Sequence, residues 1–208
     1  MIIKELITLA KFSELSGVAV KDNTEAIVAF INLGMIEIYG RFPVKTEEHI
    51  IEVVSGTSLY TTPSNFLYAT DAYIEAPEDS DEEFTSIGIN DEDDEFSIFF
   101  TSWNTVKVPE SLADSSVYLK YSSKPSSITI VQAKDGITEL DLPDTLIDCL
   151  LSYLGYRGHL GVKSDSQSEN NAQWARFERN CKKAKELGIA YPAYAVTMNE
   201  RINDRGFV

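Results

Sequence analysis

The sequence predicts an α+β protein. A helical bundle is formed from both chain ends, a small antiparallel β-domain of sandwich or barrel character is inserted between them, and an extended tail closes the chain. Three observations predict it. Near both ends, apolar residues recur at spacings of three and four. In the middle they come in short runs of Val, Ile, Phe, Tyr and Thr, punctuated by Gly, Pro, Ser, Asn and Asp every 8–12 residues. Neither terminal pair of helices buries its apolar face alone, so the two pairs must meet.

Residues 2–16 carry Ile3, Leu6, Ile7, Ala10, Phe12 and Leu15, an amphipathic helical pattern with Gly17 as its stop. A second helix opens at Asp22-Asn23-Thr24, all good N-cap residues. It runs through Ala26, Ile27, Phe30, Ile31 and Met35 to about Tyr39, where Gly40 and Pro43 end it. Gly34 weakens its interior by ~1 kcal/mol relative to Ala. The period then changes. KTEEHIIEVVSG, with Ile50, Ile51, Val53 and Val54, reads as a strand; SGTSLYTTP is turn-rich; FLYATDAYIEA mixes aromatic and β-branched residues. TSIGIN, EFSIFFTSW, NTVKVP, SVYLKYSS and SSITIV follow as further strands. In SVYLKY, Val117, Leu119 and Tyr121 share one face, and Tyr118 and Lys120 the other.

Helix returns after the extended arm ELDLP. Asp144 is placed to cap a helix whose apolar face is Leu146, Ile147, Leu150, Leu151 and Leu154. KSDSQSENN is a polar loop or the start of a helix that runs from Ala172 to Leu187, with Trp174, Phe177, Cys181 and Ala184 at spacings of three and four. Trp174 and Phe177 read as core anchors. The expected domains are thus a helical lobe from residues 1–42 and 143–188, an inserted β-domain at 43–142, and a tail at 189–208.

Composition sets bounds on function. The 208 residues are 43% hydrophobic and 11% aromatic, enough for a core and incompatible with global disorder. The net charge of -15 argues against coating DNA, which needs clustered Lys and Arg, and against docking on an anionic membrane. The longest apolar runs reach about six residues, too short to span a bilayer. Lys4, Glu5 and Lys11 interrupt any secretory signal at the N-terminus. Cys149 and Cys181 sit in helical patterns and are expected as buried free thiols of a reducing compartment.

The charge is localised. Eleven acidic residues and no basic one lie between Glu75 and Glu95, among them Asp79, Asp81, Glu82, Glu83, Asp91, Glu92, Asp93, Asp94 and Glu95. From Asn170 to Val208 seven basic residues face four acidic ones, so the C-terminal end is mildly basic. Asp79, Asp81 and Glu83 open like a calcium loop, but Phe84 stands where that loop needs Gly and Asn90 where it needs a bidentate Glu, so the EF-hand reading fails. A solvated acidic hairpin tip is expected instead.

No dinucleotide, P-loop, metalloprotease, nucleophile-elbow, CxxC or zinc-finger pattern occurs. His49 and His159 are the only histidines, in a strand and in a Gly-flanked turn, and offer neither a triad nor a zinc spacing. No catalytic residue, cofactor or metal is expected. The basic stripe Arg176, Arg179, Lys182 and Lys183 is an exposed face with helix-end compensation, or a contact for an acidic partner. Tyr191, Pro192 and Tyr194, leading to Arg201 and Arg205, form either a docking arm or a packed coil.

The N-terminal helix pair, SVYLKYSSKPSSITI, ELDLPDTLIDCLLSYLGYRG and AQWARFERNCKKAKELG together resemble the head-to-tail connector (adaptor) proteins of tailed bacteriophages. The resemblance rests on the run Tyr121 to Pro125, the run Leu140 to Asp144, and the two helices after it. The acidic insert at 75–95 stands outside the shared pattern. The resemblance implies a structural virion protein rather than an enzyme. It implies a homo-oligomeric ring, commonly a dodecamer, assembled in the host cytoplasm, with the tail reaching the portal protein and the β-domain meeting the next tail or nozzle protein. DNA would pass through the lumen without tight binding, which acidic or neutral walls favour. A stopper or nozzle ring, and a soluble β-domain binding module with helical flanks, are the alternative readings. The tail is expected to order on the portal, and the acidic loop to face solvent or lumen.

Overall fold

In the computed structural model, residues 1–76, 83–160 and 167–188 are described, the side chains of 167–170 excepted. The chain forms an α+β structure of several helices and two small antiparallel sheets. It divides into two compact units: Lys45–Lys124, and Met1–Val44 together with the described residues from Pro125 onward.

In the helical unit, α1 (Ile3–Phe12) buries Ile3, Leu6, Ile7 and Ala10, as their spacing demands. It ends earlier than the sequence suggests. The Ser13 amide and hydroxyl both donate to the Leu9 carbonyl, at 3.0 and 2.8 Å, and the chain turns away. Leu15 still reaches the core, but Phe12 is 83% exposed and is no core residue. Gly17, at φ 87°, serves the turn that follows rather than the helix end.

The second helix, α2 (Thr24–Arg41), starts where expected: Asn23 caps it by accepting the Ala26 amide at 3.0 Å. Gly34 has a packing role. A Cβ there would lie 2.6 Å from Leu150 Cδ1 and 2.9 Å from Tyr153 Cδ1, so the missing side chain lets α2 approach the helix that carries those two residues.

The run SSITIV is not a strand. Thr129 and Gln132 form a capping box, each side chain taking the other's backbone amide, and open the short helix α3 (Ile130–Asp135). Gly136, left-handed at φ 74°, closes it. Local capping overrides the β-branched composition here. Asn32 ties the preceding segment to α2, donating to the Ile128 carbonyl at 2.9 Å and accepting the Ile128 amide at 2.8 Å. The ELDLP arm pairs with the N-terminus through Leu140 N to Met1 O at 3.0 Å, and the Tyr39 hydroxyl donates to the Asp141 carbonyl at 2.5 Å.

Asp144 does not cap with its side chain. It lies in a 3-10 turn after Pro143, with its carboxylate 3.6 Å from the Met1 ammonium. The turn feeds α4 (Ile147–His159), which buries Ile147, Cys149, Leu150, Leu151 and Leu154. The last helix, α5 (Gln167–Glu186), begins five residues before Ala172, so part of the polar stretch is helical. It packs along α4, burying Phe177, Cys181 and Ala184.

The β-unit holds β1 (Thr46–Glu52), β2 (Leu59–Thr61), β3 (Phe66–Glu75), β4 (Phe84–Ser86), β5 (Phe99–Ser102), β6 (Thr105–Lys107) and β7 (Ser116–Ser123). One sheet is ordered β1-β7-β3-β4, the other β2-β6-β5, all neighbours antiparallel. Val117, Leu119 and Tyr121 share one face, as expected, and that face points inward, where they join Ile51, Phe66, Ala72, Ile98 and Val106 in one core.

Candidate functional site

The sheet β1-β7-β3-β4 has an outer face assembled by register. Ile50 pairs with Tyr118, Tyr118 with Tyr73, and Tyr73 with Ser86. The rings of Tyr73 and Tyr118 stack at 5.3 Å, and Phe84 meets both edge-on at 5.1 and 5.4 Å. Ile50 and Phe84 are exposed. Carboxylates surround this apolar strip: Glu48 and Asp71 flank Lys120 in the ladder, Glu52 accepts from the Ser116 hydroxyl at 3.0 Å, and Glu75 accepts from the Tyr118 hydroxyl at 2.8 Å. The hydrogen bond to Glu75, then lost solvation, then the charge of the neighbouring carboxylates, holds the Tyr118 phenol above its ordinary pKa. Four carboxylates and one ammonium leave the strip acidic. Sequence reading put Tyr118 and Lys120 together on one face of the strand, but pairing strands so distant in the chain was beyond it.

In the acidic segment, Glu83, Asp91, Glu92, Asp93 and Glu95 are exposed. Asp94 is structural: its carboxylate accepts the amides of Gly88 and Phe96, both at 2.9 Å. Asn90, at φ 55°, accepts the Phe100 amide at 2.9 Å, and the Ser97 hydroxyl accepts the Asp91 amide at 2.9 Å. Part of the acidic composition therefore builds the turn. Asp79, Asp81 and Glu82 lie outside the described residues, as do Tyr191, Pro192, Tyr194, Arg201 and Arg205. Among the described residues, no three His, Cys, Asp or Glu side chains gather as metal ligands.

The basic stripe of α5 divides in two. Arg176 is a mooring: it meets Glu14 at 2.8 Å, and that carboxylate is only 7% exposed. Arg179, Lys182 and Lys183 are exposed, Lys182 lying 3.8 Å from Glu186. The other face of the helix is fixed by Arg41 at the end of α2. Its guanidinium bonds Glu178 at 2.9 Å and Glu37 at 2.7 Å, and lies 4.6 Å over Phe177 and 5.6 Å over Trp174. Phe177 is a core anchor as expected, whereas Trp174 is only half-buried and packs on it, in an aromatic cluster with Tyr153 and Tyr156.

Cys149 on α4 and Cys181 on α5 are free and buried, as expected, and their thiols are hydrogen-bonded. A cleft of about 300 Å³ in the β-unit is lined by Phe66, Tyr68, Phe100 and Trp103, with Trp103 74% exposed. His49 is in β1 and His159 in the last turn of α4. No helix among the described residues is long and apolar enough to cross a membrane.

A family model described as SU10 adaptor protein matches residues 1–193. No curated protein matches the chain.

Proposed function

The chain belongs to the SU10 adaptor protein family, and from that premise we propose that it is a structural virion protein whose ring seats on the portal and joins capsid to tail. The observation that carries the reading is the family match across residues 1–193. The ring is homo-oligomeric, with twelve copies as the expected number. The tail at 189–208 reaches the portal through Tyr191, Pro192, Tyr194, Arg201 and Arg205, and the β-domain at 43–142 meets the next tail or nozzle protein. The helical bundle of 1–42 and 143–188 forms the body of the ring.

The ring carries no catalysis and needs no cofactor. DNA passes through its lumen, and exposed carboxylates such as Asp91, Glu92, Asp93 and Glu95 support that role, because anionic walls do not hold phosphates. Closed cyclic symmetry lets a small protomer without catalytic motifs become a conduit.

The test is to mix the protein with portal rings and image the product. The expected result is a second ring stacked on the portal, lost when residues 189–208 are deleted and the helical content is retained. A portal that captures no copies of the full chain overturns the reading. Capture unaffected by the deletion refutes the role of the tail.

A further inference from the structure

The solvent face of the sheet β1-β7-β3-β4 combines two features that are costly to leave in water together. Its centre is apolar and aromatic (Ile50, Tyr118, Tyr73 and Phe84) and its flanks are acidic (Glu48, Glu52, Asp71 and Glu75), with Lys120 the single cation in the paired register. An aromatic strip inside a charged rim is the anatomy of a protein contact. Phosphates are repelled by this charge, and an acidic partner would be as well.

The charge that fits is on the same chain. The exposed side of α5 carries Arg179 and, one turn on, Lys182 and Lys183, with Glu186 3.8 Å from Lys182 as the one carboxylate paired there. Small residues Ala172 and Ala175, also exposed, leave that side low enough for a flat sheet to approach. Each surface is exposed on its own unit, and a second copy supplies the opposite charge that complements it.

We propose that the aromatic, acid-rimmed face of the β-unit is a docking surface for the basic side of α5 of a second copy. The contact pairs Glu48, Glu52, Asp71 and Glu75 with Arg179, Lys182 and Lys183, and offers the edges of Tyr73 and Tyr118 to a guanidinium or the stem of a lysine. It is heterologous: each copy gives one surface and receives the other, which is the arrangement that propagates around a ring. The proposal rests on the ring reading above for its biological use, but the contact itself is tested in its absence.

The experiment is sedimentation of the full chain at low salt, with two charge-reversed variants. One is Glu48→Lys with Glu52→Lys; the other is Arg179→Glu with Lys183→Glu. All four side chains are at the surface, and circular dichroism and melting confirm folding. The wild type is expected to self-associate, and to do so less at ~150 mM salt. Each variant alone is expected to lose association by ~10-fold or more, while an equimolar mixture of the two recovers it, because a basic sheet face then meets an acidic helix. Unchanged association in either variant, a mixture that does not recover, or a wild type that is monomeric at ~1 mM and low salt overturns the contact. Portal capture separates the two readings. A ring that forms on the portal with the variants leaves the ring standing without this contact, and a recovered mixture without portal capture leaves the contact standing without the ring.

Discussion

The Tyr121 hydroxyl donates to the Glu47 carboxylate at 3.0 Å, directly across the β1–β7 ladder. Tyr121 is 3% exposed, so its polar end is satisfied at the rim of a core it otherwise fills. The same carboxylate accepts from Asn65 at 2.8 Å and pairs with Lys45 at 3.0 Å. The contact with Lys45, then that with Asn65, holds Glu47 down to about 2 from the ordinary 4.5.

A pH dependence follows. Because the folded value lies below the unfolded one, the stabilisation is complete above about 4.5 and is lost as pH falls towards about 2. Solvent near the carboxylate limits the effect to ~1 kcal/mol. Urea midpoints at several pH values should fall more steeply for the wild type than for Glu47→Gln across that window. Parallel pH profiles would refute the assignment.

Gly34→Ala sets helix propensity against packing. Propensity favours Ala by ~1 kcal/mol. The new methyl would sit 2.6 Å from Leu150 and 2.9 Å from Tyr153, both buried, and such overpacking costs ~1–3 kcal/mol. Packing wins, so the variant should lose stability in urea denaturation, and less of it when combined with Leu150→Ala, which vacates the site. A gain in stability would show that α2 and α4 have room to separate.

Arg41 holds α5 by charge and by ring contact together. Arg41→Ala should cost ~1–3 kcal/mol, concentrated in α5, and read as faster amide exchange between Gln167 and Glu186. Arg41→Lys should recover little, since an ammonium cannot fork between Glu37 and Glu178 while lying over Phe177. Full recovery by lysine would reduce the site to simple charge.

The long periodic elements were legible in the sequence because their burial follows local spacing: α2 with its Asn23 cap, α4, α5, and the alternation of β7. SSITIV misleads because its β-branched residues outweigh a readable Thr129-to-Gln132 capping box and the glycine after it. Phe12 misleads because it is apolar, yet at 3.6 residues per turn it falls on the side of α1 opposite Ile3, Leu6, Ile7 and Ala10. The acidic segment was visible as charge, but not that Asp94 is committed to two backbone amides. The aromatic face was hidden for a different reason. Ile50, Tyr73, Phe84 and Tyr118 are neighbours only through pairings between distant strands, and nothing local to any one of them encodes that register.

The two thiols give a direct measure of how firmly α5 is seated. Cys149 and Cys181 are 1% and 3% exposed and hydrogen-bonded between facing helices. The contact with Cys181, then burial, pushes the Cys149 thiol above its ordinary pKa, while the same contact draws that of Cys181 down, so it is burial between the helices that limits reaction of the pair. A disulfide reagent should therefore modify the native protein slowly and both thiols at once in urea. Reaction requires α5 to lift from α4, so Arg41→Ala, which loosens that helix, should speed it in proportion to the lost stability while the labelling rate in urea stays the same. Rapid labelling of the native wild type would mean that the α4–α5 seam is open in solution, and would also remove the support on which the exposed basic side of α5 is presented.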